Sequence, residues 1–143
     1  MRVTNALPSL NFRGLCSQIL DINAGIGSVE ITTADGQILA TQQRDSAQAL
    51  LTQSGEESEL IILQSLMRMN MRRTAEKKFG KVHYSFTEYE RIKRATIVWR
   101  NEKSEDITIG QDIIVMLSID REIDHQPIIS RVQTLLNSSY KRI

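Results

Sequence analysis

Ser28-Val29-Glu30-Ile31-Thr32-Thr33, then Ala34-Asp35-Gly36, then Gln37-Ile38-Leu39-Ala40-Thr41 is the stretch on which the fold turns. Residues 28–33 alternate as a half-buried strand does, and 37–41 read as its partner. Asp35-Gly36 is a strong short hairpin signal, because both central residues of the tightest such turn need positive φ. A two-residue loop at Asp35 and Gly36 pairs Thr33 with Ile38 and Ile31 with Ala40. Val29, Ile31, Ile38 and Ala40 then share one face, which is expected to be core.

Upstream of the hairpin, Phe12, Leu15, Cys16, Ile19 and Ile22 recur at helical steps. Ser9 or Asn11 is placed to cap this helix, Gly14 sits inside it, and Gly25 with Gly27 is expected to end it in a left-handed conformation. Downstream, residues 43–58 are polar, with room for a helical turn over Ala47 to Leu51. Glu56 and Glu57 then favour a helix N-terminus. Leu60, Leu63, Met67, Met71, Ala75 and Phe79 fall on one stripe with Gly80 as the stop, predicting a helix of about 20 residues.

Ile62, Leu66 and Met69 form a second apolar row on that helix. One narrow groove does not bury both rows. Either the helix is sunk between layers, or the second row is kept for a partner chain.

Val82, Tyr84 and Phe86 alternate as a third strand, Lys81 to Phe86. Ile92 to Trp99 reads as a fourth, and Ile113 to Ile119 as a central fifth, apolar on both faces. Residues 101–106 are a charged connection. Asp124 or His125 then precedes Pro127, a good first-turn residue, and Ile128, Val132, Leu135 and Leu136 make a last amphipathic helix. The order α-β-β-α-β-β-β-α predicts an α/β (α+β) three-layer sandwich around one five-stranded, mostly antiparallel sheet. Its first and last helices lie on one face and the long helix on the other. Residues 1–8 are expected as a short tail and 9–143 as a single domain.

The chain has 143 residues, 41% hydrophobic and 24% charged, an ordinary globular composition that leaves no argument for disorder. Its longest apolar run, Ile113 to Leu117, is far below the roughly 20 residues that span a bilayer, so no membrane insertion is expected. The first thirty residues lack a secretory pattern, and one cysteine excludes an internal disulfide. A cytoplasmic protein is expected. The net charge is +1, but residues 68–100 hold ten basic and three acidic side chains, +7, leaving −6 elsewhere. Arg68, Arg72, Arg73 and Lys77 recur at near-helical spacing. They suit a solvated face, an acidic protein partner, or the phosphates of a nucleic acid with Tyr84, Phe86 and Tyr89 stacking on bases.

That asymmetry is the one chemical signal in the chain. His83 and His125 have no ligand-like neighbours at helical spacing, so no metal site is expected. Gly25-Ile26-Gly27 lacks the third glycine and the lysine of a phosphate loop. Glu56-Glu57 and Glu105-Asp106 sit in hydrophilic segments with nothing to raise a carboxyl pKa. Cys16 lies on the first helical stripe, as a small buried hydrophobe or a reactive thiol. No catalytic residue and no cofactor is expected.

Ile22-Asn23-Ala24-Gly25-Ile26-Gly27-Ser28-Val29-Glu30-Ile31-Thr32-Thr33-Ala34-Asp35-Gly36-Gln37-Ile38-Leu39-Ala40 resembles the roadblock family of dynein light-chain-like domains: helix end, glycine-containing bend, strand, Asp-Gly turn, and strand ending in a small residue. The likeness continues through the long helix and the later strands, covering most of residues 9–138. Longin, profilin and some sensor domains have related arrangements. The resemblance implies a non-catalytic module that dimerises by joining third strands edge to edge while the second helices pack across the interface. It further implies regulation or scaffolding of small GTPases, motors or signalling complexes.

Mapped onto this sequence, the dimer or partner interface is expected at Ile62, Leu66, Met69, Arg68, Arg72, Val82, Tyr84 and Phe86. The partner is the chain itself as a homodimer or a related domain as a heterodimer, with a small GTPase or an acidic protein beyond it. The family's second helix is often rich in alanine, whereas this one is dense in methionine and arginine. The alternatives are a nucleic-acid-binding domain using residues 68–100 and a small-molecule sensor.

Overall fold

The computed structural model describes residues 11–45, 55–100 and 112–141. The first helix, α1, spans Phe12–Leu20, and Asn11 caps it by accepting the Gly14 N–H at 3.0 Å. It ends without a left-handed glycine: among the described residues only Gly36 and Gly80 have positive φ. Gly25 has a different task. A β-carbon there would lie 2.7 Å from Ile123 Cγ1, and the Gly25 carbonyl accepts the Asp120 N–H at 2.7 Å. Arg44 fastens this bend, donating from Nε to the Ile26 carbonyl at 2.8 Å and from Nη2 to the Leu20 carbonyl at 2.5 Å.

The hairpin joins β1, Ile26–Thr33, to β2, Ile38–Gln43. Its loop has three residues, not two. Thr33 N–H donates to Gln37 O at 2.9 Å and Gly36 N–H to Thr33 O at 3.1 Å, with Gly36 at φ 105° and Asp35 outside the positive region. This is a turn closed by one glycine, which needs positive φ once. Ile31 pairs with Ala40 as expected, but Thr32, not Thr33, faces Ile38, because β2 carries an extra residue at that point. The slip turns Ile38 away from Val29, Ile31 and Ala40, and it is 44% exposed, outside the core it was expected to join.

The sheet order is β2-β1-β5-β4-β3, where β3 spans Tyr84–Glu88, β4 Ile92–Trp99 and β5 Ile113–Asp120. Every pair is antiparallel. Val29, Ile31, Ala95, Ile97, Val115 and Leu117 point to one face and pack with Leu15, Cys16 and Ile19 of α1 and with Ile128, Ile129, Val132 and Leu136 of the last helix, α4, His125–Lys141. Val98, Ile114 and Met116 point to the other face, under α2, Gly55–Arg73. The result is the expected three-layer sandwich.

The long helix is interrupted. Thr74 Oγ1 donates to the Met71 carbonyl at 2.6 Å, the local bond by which threonine competes with a helix, and a separate turn, α3, follows at Glu76–Phe79. Gly80 ends α3 as expected, while β3 starts at Tyr84, later than Lys81. The expected turn over Ala47 to Leu51, the connection at 101–106, the N-terminal tail and Arg142 lie outside the described residues. Among the described residues no helix is long and apolar enough to cross a membrane.

Candidate interaction surface

The sheet surface beneath α2 decides which side of that helix faces outward. Cross-strand register puts Ser28, Glu30, Thr32, Arg94, Thr96 and Ser118 on the same face as Ile114 and Met116, so its apolar strip is narrow. Ser28 and Ser118 share a hydrogen bond at 2.5 Å, and Arg94 Nη2 meets Glu30 Oε1 at 2.9 Å, both buried. Such a strip takes one row of a helix. Ile62, Leu66 and Met69 fill it, at 6%, 4% and 0% exposure.

This corrects the expected interface, which counted those three residues as partner-facing. They are spent on the chain's own core. The outward row is the one read as core: Leu60, Leu63, Met67 and Met71 are 54%, 50%, 57% and 72% exposed. Both rows have helical spacing, and only the sheet beneath distinguishes them.

Among the described strands, β3 forms an edge of the sheet. The Tyr89 N–H donates to Ile92 O and the Val98 N–H to His83 O, which bracket the β3–β4 ladder at odd-numbered residues of the β3 chain. Antiparallel alternation therefore leaves the N–H and C=O of Tyr84, Phe86 and Glu88 facing out of the sheet. The expected single face of Val82, Tyr84 and Phe86 is divided. Val82 packs with the α2 cluster, Tyr84 packs with the opposite core, and Phe86 lies on that side against His125, ring centroids 3.8 Å apart.

An ion network fixes the link between helix and edge. Glu76 Oε2 accepts the Val82 N–H at 2.9 Å and Arg100 Nη2 at 2.5 Å. Arg100 Nη2 also donates to the Val82 carbonyl at 2.6 Å, and Arg73 Nη2 pairs with Asp112 at 2.5 Å. The Val82 N–H first, then Arg100 and Arg73, hold the Glu76 carboxyl below its ordinary pKa despite some opposing desolvation. The strand therefore leaves α3 at a set point beside the end of α2.

The basic stretch is less basic at the surface than its sequence. Arg73 and Arg100 belong to this network, Arg94 is buried on Glu30, and Lys93 is buried with Nζ on the Ile123 carbonyl at 2.5 Å. Arg68 is half-buried and Arg72 exposed on α2. Cys16 is fully buried, and burial, reinforced by the charge of Glu30, pushes its thiol up to about 12, which makes it a packed hydrophobe. Among the described residues no group of three His, Cys, Asp or Glu side chains is placed to hold a metal ion.

This fold is similar to that of solved structures. The roadblock/LC7 domain from Streptomyces avermitilis superposes with a TM-score of 0.66 at 14% identity, over 91% of this chain and 95% of that one. The chain has a roadblock-like fold. Myxococcus xanthus MglB shares this roadblock arrangement at a TM-score of 0.66 and 10% identity, over 93% of this chain and 94% of its own. MglB in a tetrameric arrangement matches at 0.61 and 10% identity, over 99% and 92%. At the level of sequence no family model and no curated protein matches.

Proposed function

We propose that this chain, over residues 9–143, is a non-catalytic dimerising module that regulates or scaffolds a small GTPase or a signalling complex. The observation that carries the reading is the outward apolar row Leu60, Leu63, Met67 and Met71 on α2, to which the edge of β3, unpaired among the described residues, adds a second. An unpaired strand edge and an exposed apolar helix row are both surfaces that a second chain covers. Two β3 edges joined antiparallel pair the outward N–H and C=O groups of Tyr84, Phe86 and Glu88, and the outward rows of the two α2 helices meet above them. Arg68 and Arg72 flank that row and suit an acidic partner. The roadblock-like fold and the assembled state of MglB support the reading.

The other edge suits a partner less well, because Thr41, Gln42 and Gln43 of β2 are polar and Gln42 accepts a hydrogen bond from Ser17 of α1 at 2.9 Å. The test is Tyr84→Pro, which removes an N–H that the monomer's ladder does not use. The expected outcome is a folded monomer, seen as unchanged circular dichroism with halved molar mass. Assembly that survives the substitution removes β3 from the interface.

A further inference from the structure

Between α2 and the turn from β3 to β4 lies a cleft of about 520 Å³, and three arginines from three different elements line it: Arg68 on α2, Arg91 in the turn and Arg94 on β4. Ile61 and Tyr89 supply its apolar wall, and Glu90 is the one carboxylate among its lining residues. Glu30 lies behind Arg94 and neutralises it in part. With Glu30 counted, the cleft still has one positive charge in excess at neutral pH.

Arg94 is the unusual member. Its side chain is 4% exposed, its Nη2 is held by Glu30 at 2.9 Å, and its Nε makes no hydrogen bond. A buried guanidinium donor without an acceptor is costly, and the residue that carries it is one that lines the cleft. Neither Arg68 nor Arg91 has a side-chain ion pair or hydrogen bond among the described residues, so two forked donors remain for the same guest.

We propose that this cleft binds a small phosphorylated molecule, with its phosphate on Arg68 and Arg91 near Arg94 and its apolar part against Ile61 and Tyr89. Three guanidiniums suit a phosphate better than a carboxylate, since a dianion with three acceptor oxygens engages more than one fork. The volume falls within the usual range for small-molecule sites, about 300–1,000 Å³, and is far more than a bare phosphate fills. The ligand therefore carries an organic part, and Tyr89 offers that part a ring face. The site lies within one chain, and its occupancy does not require the proposed dimer.

Phenyl phosphate is the minimal probe, because it joins one phosphate to one ring. Titration of the full chain, followed by amide NMR, is expected to show saturable shifts at Arg68, Tyr89 and Arg91 with a Kd at or below about 1 mM. Inorganic phosphate and phenol, each lacking one half of the ligand, are expected to bind at least about tenfold more weakly. Arg68→Gln and Arg91→Gln are each expected to weaken phenyl phosphate at least about tenfold with the melting temperature unchanged. Arg94 is left intact because its loss strands Glu30. Absence of saturable shifts, or binding that both substitutions leave unaltered, overturns the site. Equal affinity for inorganic phosphate and phenyl phosphate overturns the apolar half of the assignment.

Discussion

Cys16, Gly25 and Gly36 each turn one structural fact into a measurable quantity. With the Cys16 thiol at about 12 in the folded chain and 9.0 as its ordinary value, both states are protonated below pH 9. Above pH 9 the unfolded chain ionises first, so this contribution to stability is complete below that point. It is lost as pH rises from about 9 to about 12, by up to about 1.4 kcal/mol per pH unit. Denaturant unfolding of Cys16→Ala against the parent chain isolates it: the parent is expected to lose the steeper share of stability above pH 9. Gly25→Ala forces a β-carbon onto Ile123 and is expected to cost about 1–3 kcal/mol, while Gly36→Ala, strained by its φ of 105°, is expected to cost about 1–2 kcal/mol. Chemical denaturation measures both.

Asp35-Gly36 announced the hairpin, and Ile31 opposite Ala40 followed from it, yet the register beyond that pair did not. The extra residue in β2 leaves no trace in an alternating pattern, because Ile38 and Leu39 are both apolar. Arg73, Lys93, Arg94 and Arg100 looked like surface charge for a related reason. Each has a partner 24 to 64 residues away in the chain, where local spacing carries no information.

At the scale of elements, α2 is the informative case. Its sequence holds two apolar rows of similar strength, so periodicity established the helix but not its orientation. What orients it is the other face of the contact, where Ser28, Glu30, Thr32, Thr96 and Ser118 narrow the apolar strip to Val98, Ile114 and Met116. Those polar strand positions were visible in the sequence, and weighing them against the helix rows would have favoured Ser65, Leu66 and Met69 as the buried side. The two rows are separable by mutation. Leu66→Ala is expected to destabilise the fold by about 2–5 kcal/mol. Leu63→Asp with Met67→Asp is expected to leave unfolding within about 1 kcal/mol of the parent while abolishing assembly. Calorimetry and sedimentation velocity on the two variants distinguish these outcomes, and the opposite pattern restores the original orientation.

The Arg94–Glu30 pair belongs to the same layer. Removing one member of a buried pair leaves the other uncompensated, so Glu30→Leu is expected to cost about 3–5 kcal/mol in denaturant unfolding. The cleft beside it was partly legible, since Arg68 and Arg91 stood in the basic stretch. Arg94 did not stand out, because nothing in its neighbourhood marks it as buried.

For the whole molecule, the five described strands in the order β2-β1-β5-β4-β3 leave β3 at an edge, and α2 turns an apolar row outward. Recognition of the fold needed only the hairpin stretch and the order of the elements, and the solved roadblock structures agree with it. The interacting surface needed the orientation of α2, which the sheet determines and local sequence does not. Arg73, Lys93, Arg94 and Arg100 are engaged internally, so an assembly built on the apolar row is expected to respond weakly to salt, whereas phosphate contacts weaken steeply with it.

The most direct test is molar mass by light scattering over a concentration series at low and high salt. The chain is 16.3 kDa, and the predicted result is a mass of about twice that value, unchanged by salt. A mass of one chain at every concentration contradicts the proposed interface, and a mass that falls as salt rises contradicts its apolar character.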